Sequence, residues 1–191
     1  MKTSTNILIG IDDTDNKESR GTGFRAREMA DLLMNDAIGT VIGISRHQLF
    51  VHPEIPYTSQ NSSACLEVET SQENNLVAFC RDYLLRTCAE GSDAGLCVAR
   101  ADRVSEPVLL WGYSAKTEVL AMNRAEQIAY SNGIILEGLT GEKIGIIGAL
   151  AAVGLRKSGN DGRFIWLSEK IFVNLMVFFP QMNYIAPVLL M

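Results

Sequence analysis

The chain has 191 residues, 47% of them apolar and 20% charged, and its 17 Lys plus Arg against 22 Asp plus Glu leave a net charge of −5. That is an ordinary globular balance, and it argues against a broad nucleic-acid face built from clustered Lys and Arg. Cys65, Cys80, Cys88 and Cys97 form no CxxC pair, which argues against a structural zinc site and, with no leader-like N-terminus, points to reduced thiols in a cytoplasmic protein.

Residues 6–11 predict a short buried strand, rich in Ile and Leu and ended by turn formers. Residues 24–37 place Met29, Leu32, Leu33 and Ala37 close to one face and predict a helix. "TVIGI" (40–44) is a second strand, and "ACLEVE" (64–69) alternates Ala64, Leu66 and Val68 with Cys65, Glu67 and Glu69. A helix over 73–88 carries Leu76, Val77, Cys80, Leu84 and Cys88, "GSDAG" ends it, and "LCVA" returns as a strand. Asn123 with Glu126 opens a further helix that Asn132-Gly133 closes. "IILEG" and "FIWL" (164–167) read as strands on either side of a small-residue helix over 144–155.

This alternation predicts an α/β fold: a mixed sheet with packed helices in one compact domain, residues 1–167. Residues 168–191 form a hydrophobic C-terminal tail, expected to pack back on the core or to pair with a second copy as a homodimer. Its apolar run over 171–179 is too short to span a bilayer and Pro180 ends it, so no membrane partner is expected.

Three segments carry candidate chemistry. Asp12, Asp13 and Asp15 follow a buried strand, where a rigid backbone presents carboxylates in the manner Mg²⁺ uses together with water and phosphates. A solvated acidic turn is the alternative reading. An EF-hand register from Asp13 fails, because Lys17 replaces a ligand and Glu18 stands at the glycine position. Asp13-Thr14-Asp15 also matches the start of a haloacid-dehalogenase-type phosphatase motif, with Lys17 where a Thr is usual. In "RGTGFRARE", Gly21, Thr22 and Gly23 precede a helix, with Arg20, Arg25 and Arg27 close by, a pattern suited to phosphate. Gly138, Gly141, Gly145 and Gly148 precede or enter an alanine-rich helix, for close approach to a ligand or to another element. "SRHQLFVHPEIPYTSQNSS" adds Arg46, His47 and His52, the histidines more in keeping with satisfied surface or core residues than with catalytic bases.

Together "GIDDTD", "GTG", "HPEIPYTSQNSSACLEV" and "EGLTGEKIGIIGALAAVGLR" resemble, in that order over residues 6–167, the kinase domain of the archaeal tRNA-isoleucine agmatinylcytidine synthetase family. The resemblance implies an ATP-dependent domain that phosphorylates a cytidine oxygen before agmatine displaces the phosphate. It implies Asp12, Asp13 and Asp15 as metal and catalytic carboxylates, Gly21 and Gly23 as phosphate-side glycines, and Gly145, Gly148 and Ala149 near the nucleotide. The family continues into an OB-fold and a zinc ribbon that grip tRNA, so the expectation here is a short homologue that handles ATP and Mg without those tRNA-binding parts.

The resulting expectation is a Mg-dependent, kinase-like enzyme acting on a nucleoside, RNA or small molecule. Asp12, Asp13 and Asp15 hold metal, and Gly21, Thr22, Gly23, Gly145, Gly148 and Ala149, with Arg25 and Arg46, serve the nucleotide. Two alternatives stand beside it: a noncatalytic nucleotide sensor, and a phosphohydrolase with Asp13 as nucleophile.

Overall fold

The computed structural model describes residues 4–58 and 60–169. All but the first two residues of the C-terminal tail, and with them its expected packing or dimerisation, lie outside the described residues. The elements in chain order are β1 (Thr5–Asp12), α1 (Thr22–Asn35), β2 (Thr40–Gln48), β3 (Ser62–Thr70), α2 (Glu73–Thr87), β4 (Gly95–Arg100), α3 (Glu106–Ser114), α4 (Met122–Ser131), β5 (Ile135–Gly138), α5 (Ile146–Ser158) and β6 (Arg163–Leu167). Among the described residues, no helix is long and apolar enough to cross a membrane.

The strands form one six-stranded sheet in the order β5-β4-β1-β3-β2-β6. The expected α/β architecture is present, and it differs from a mixed sheet in one respect: every described pairing is antiparallel. Helices cover both faces, which explains why the central strands are apolar on alternate and intervening positions alike. Ile7, Ile9 and Ile11 of β1 enter a core with Met29 and Leu33 of α1 and Leu76, Cys80 and Leu84 of α2. Leu8, Cys65 and Cys97 point the other way, into a core with α3, α4 and α5.

The α5 helix lies against the middle of the sheet because glycines let it. A Cβ on Gly10 of β1 would overlap the Ala149 carbonyl oxygen, and one on Gly154 would overlap the Val108 carbonyl of α3. Glycine in a helix costs about 1 kcal/mol relative to alanine, and here close interlayer contact offsets it. Trp111 adds a polar tie, its indole N–H donating to the Ile147 carbonyl at 3.1 Å.

Several details depart from the sequence pattern. The first helix starts at Thr22 and ends at Asn35, leaving Ala37 in a turn with φ +52 and Leu32 exposed. Ala121, not Asn123, is the cap of α4. The β2 strand runs on to Gln48, which sends Arg46 and His47 to opposite faces of the sheet. The α3 helix had no sequence signal: "EPVLLWGYS" is apolar nearly all round and so lacks the amphipathic stripe that marks α1 and α2.

Candidate functional site

The central strand delivers the acidic motif. Asp12 is the last residue of β1 and pairs with Gly95. Strand alternation puts its side chain on the α5 side, in step with Leu8 and Gly10. A Cβ on Gly148 would occupy the position of Asp12 Oδ2, and one on Gly145 would press against the carbonyls of Asp12 and Asp93. The first turn of α5 is therefore bare where the carboxylate lies. Asp13 then leaves the strand with φ +51, a left-handed conformation that Asp tolerates better than most residues.

Burial pushes Asp12 up to about 8, with the Asp13 charge adding to it against a backbone hydrogen bond from Asp13. Burial likewise pushes Asp13 up to about 6, and the charges of Asp93 and Asp15 add to it. These two carboxylates face a cavity of about 210 Å³ that also meets Glu54, Glu118 and the apolar Leu49, Ile55, Leu120 and Ile147. Among the described residues no Lys, Arg or His lines it, so its carboxylates meet no counter-charge there.

Asp15 is placed differently. Its Oδ1 accepts the N–H and hydroxyl of Thr22 at 3.1 and 3.0 Å, and its Oδ2 accepts the Thr58 hydroxyl at 2.8 Å. It organises the start of α1 and joins it to the segment after β2. Beyond it opens a second, polar cavity of about 370 Å³, lined by Asp15, Gly21, Thr22, Gly23, Arg46, Thr58, Gln60 and Ser62. Arg46 reaches it from β2, steadied by hydrogen bonds to Ser62 Oγ and Gln60 Oε1, both at 3.0 Å. The two cavities share Asp15, Thr22, Thr58, Gln60 and Ser62 as walls.

Both cavities receive a helix N-terminus. Glycines cap α1 and α5, and neither helix has an acidic residue in its first turn, whereas α2 and α3 carry Glu73 and Glu106 there. Each already faces a protein carboxylate from outside its own helix, Asp15 on the Thr22 N–H of α1 and Asp12 beside Gly148 of α5, and the remaining free N–H groups of both turns stay available to an anion. Among the described residues no three His, Cys, Asp or Glu side chains form a ready metal cage. A two-carboxylate, water-rich Mg²⁺ site needs none.

The structure thus brings together Asp12, Asp13, Asp15, Gly21, Thr22, Gly23, Arg46, Gly145 and Gly148. It leaves two candidates outside. Arg25 pairs with Glu28 at 3.0 Å while its backbone carbonyl accepts from Tyr83, and Ala149 is fully buried under Gly10; neither lines either of these two cavities. Sequence reading passed over Glu118, Val119 and Leu120, because the turn between α3 and α4 carries no motif.

The histidines lie away from the cavities. His52 accepts the Glu54 N–H through Nδ1 and stacks on Phe50. His47 is fully buried, with Nδ1 at 2.9 Å from Asp161 Oδ1 and Nε2 at 2.8 Å from Ser45 Oγ. A carboxylate only accepts, so Nδ1 carries the proton and Nε2 accepts from the serine. The order serine–histidine–aspartate is that of a hydrolase, yet Ser45 is 3% exposed and lines neither cavity, so the group is structural.

Burial pulls His47 below its ordinary 6.5, outweighing the Asp161 contact. The unfolded chain then binds more protons than the native one below about pH 6.5, and stability falls as pH drops from there through the folded value. In urea titrations between pH 7.5 and 5, His47→Gln should lose stability less steeply than the wild type; identical slopes would remove His47 from the pH response.

No family model matches the chain. It is 30% identical over 155 residues to an uncharacterized protein of Methanocaldococcus jannaschii, covering 78% of this chain and 49% of that protein. The chain spans about half the length of the curated relative it matches. Among solved structures it is similar to an apo form of TiaS, a tRNA agmatidine synthetase, with a TM-score of 0.68, 24% identity, and 78% of this chain covering 35% of that one. A complex of TiaS with tRNA and ATP gives a TM-score of 0.69 at 24% identity, and a tRNA fluorescent labeling enzyme 0.68 at 25%, each with 78% of this chain covering 36% of the other. The resemblance carried by "GIDDTD", "GTG" and the glycine-alanine segment therefore holds at the level of three-dimensional structure, and the chain has the fold of about a third of the tRNA agmatidine synthetase TiaS.

Proposed function

We propose that the chain binds Mg²⁺–ATP across the two adjoining cavities and transfers a phosphoryl group to an acceptor of the nucleoside or tRNA class. The observation that carries this reading is the shared wall. An acidic, partly apolar compartment with Asp12 and Asp13 abuts a polar one with Gly21, Thr22, Gly23 and Arg46. The similar TiaS structures include a complex with tRNA and ATP, and one with tRNA, AMPCPP and agmatine, which supports the same ligand classes here.

Asp12 and Asp13 fit a Mg²⁺ ion, because Oδ2 of Asp12 projects into the hollow left by Gly148 and no cationic side chain among the described residues lines the cavity beside them. These two carboxylates would hold the ion, and it would supply charge neutralisation for the transferring phosphoryl group. Arg46, with the backbone N–H groups beyond Thr22 in α1 and at the glycine-bare start of α5, holds the phosphates from the protein side. Asp15 keeps Thr22 and the Gly21–Gly23 turn in position rather than meeting the metal.

The test is ATP binding and turnover by the full chain, with Mg²⁺ and with EDTA. Saturation at 100 times Kd raises folding stability by about 2.7 kcal/mol, a clear thermal shift. Binding with Mg²⁺ only, and ADP formation that rises with added RNA or nucleoside, supports the proposal. Binding without turnover indicates a sensor, phosphate release from simple monoesters indicates a phosphohydrolase, and no binding under any condition ends the nucleotide reading.

A further inference from the structure

Asp161 stands where three segments meet. Its Oδ1 accepts from His47 of β2 at 2.9 Å, and its Oδ2 pairs with Lys116 Nζ at 2.6 Å. Lys116 also donates to the Gln48 carbonyl at 3.1 Å. Burial would raise the Asp161 carboxyl, but the hydrogen bonds from Lys116 and His47 hold it below the ordinary carboxylate range. His47 in turn is boxed in: Gly162 lies so close that a Cβ would strike its ring, and Ser45 fixes the far nitrogen.

Lys116 begins the turn whose Glu118, Val119 and Leu120 wall the acidic cavity, and Gln48 precedes Leu49, which lines the same cavity. Among the described residues, Thr117 and Glu118 hydrogen-bond only back to Ser114. The turn is joined to the end of β2 by the Phe50 N–H to the Ala115 carbonyl at 2.9 Å and by the Lys116 ammonium. Leu120 secures its far end by packing on the α3–α5 core. Asp161, Lys116 and His47 line neither cavity.

We propose that Asp161 is a positioning residue for the ligand cavity: through Lys116 and His47 it holds the 115–120 wall against the end of β2. The inference deepens the nucleotide-binding reading and rests on it for what the cavity holds. Loss of the carboxylate leaves the ammonium held by the Gln48 carbonyl alone and lets the turn and the end of β2 loosen while the sheet stays intact.

The experiment uses full-length Asp161→Asn, Lys116→Met, Lys116→Arg and the Asp161/Lys116 double variant. Lys116 is partly exposed, so its variants fold even where Asp161→Asn does not. Amide exchange in peptides covering 48–50 and 115–121 should quicken about fivefold or more in Asp161→Asn and Lys116→Met, with β1 peptides unchanged. Kd for Mg²⁺–ATP should rise about 5–20-fold in each, no further in the double variant, and stay near wild type in Lys116→Arg. Unchanged or uniformly altered exchange, or unchanged Kd with quickened exchange, overturns the positioning role. If the wild type binds no ATP, the nucleotide reading fails, and exchange alone still decides whether Asp161 holds the wall.

Discussion

Asp12→Asn should lower Mg²⁺-dependent ATP turnover by about 10²-fold or more while making the metal-free protein more stable at pH 8. The two effects have one cause. Asp12 ends the central strand in a compartment without counter-charge among the described residues, where burial first and then Asp13 hold its carboxyl up at about 8. The native state thus binds more protons than the unfolded chain between the ordinary 3.8 and about 8, and stability falls as pH rises through that window. Asparagine fills the same space without charge, and urea unfolding at pH 8 should show a gain on the order of 1 kcal/mol, part of the shift being lost to solvent screening. A variant that keeps turnover, or that loses stability, contradicts the placement of Asp12 as a strained, ligand-facing carboxylate.

Two alanine substitutions should separate function from fold. In Gly148→Ala the new methyl overlaps Asp12 Oδ2 and Cγ and presses on a Leu49 methyl, all of them side-chain atoms rather than backbone, so the Asp12 side chain must rotate aside. Helix propensity improves by up to about 1 kcal/mol, so stability changes little, and Mg²⁺–ATP binding weakens about 10–100-fold as the carboxylate leaves its place. In Gly10→Ala the methyl meets the Ala149 carbonyl, which is backbone, at the centre of the sheet. Neither β1 nor α5 can yield without parting the layers, and the cost is about 3 kcal/mol, or about 6–12 °C in Tm for a domain of this size. Thermal melts and ATP titrations on both variants check the contrast; the reverse ranking would show that α5 is set by something other than these glycines.

The sequence determined most of the elements, because period and punctuation are local properties. The Ile-rich β1, the striped α1 and α2, and the small-residue α5 all lie within a few residues of where their patterns place them. It also marked the acidic and glycine-rich parts of the two cavities. Strand ends and glycines before helices are features of chain order, so Asp12, Asp13, Gly21, Gly23, Gly145 and Gly148 were visible without coordinates.

Tertiary structure decided which of those residues lie together. Antiparallel order places the start of α5 beside the end of β1, so Gly148 makes room for Asp12, a contact between residues far apart in the chain. Asp15 looks like its acidic neighbours until Thr22 and Thr58 close on it, and Arg25 looks like Arg46 until Glu28 takes its guanidinium. Lys116, Glu118 and Asp161 carry no motif; long-range packing alone gives them a role. Hydrogen bonding and burial are properties of neighbours in space, so one-dimensional pattern names the candidates and only the packed chain assigns their partners.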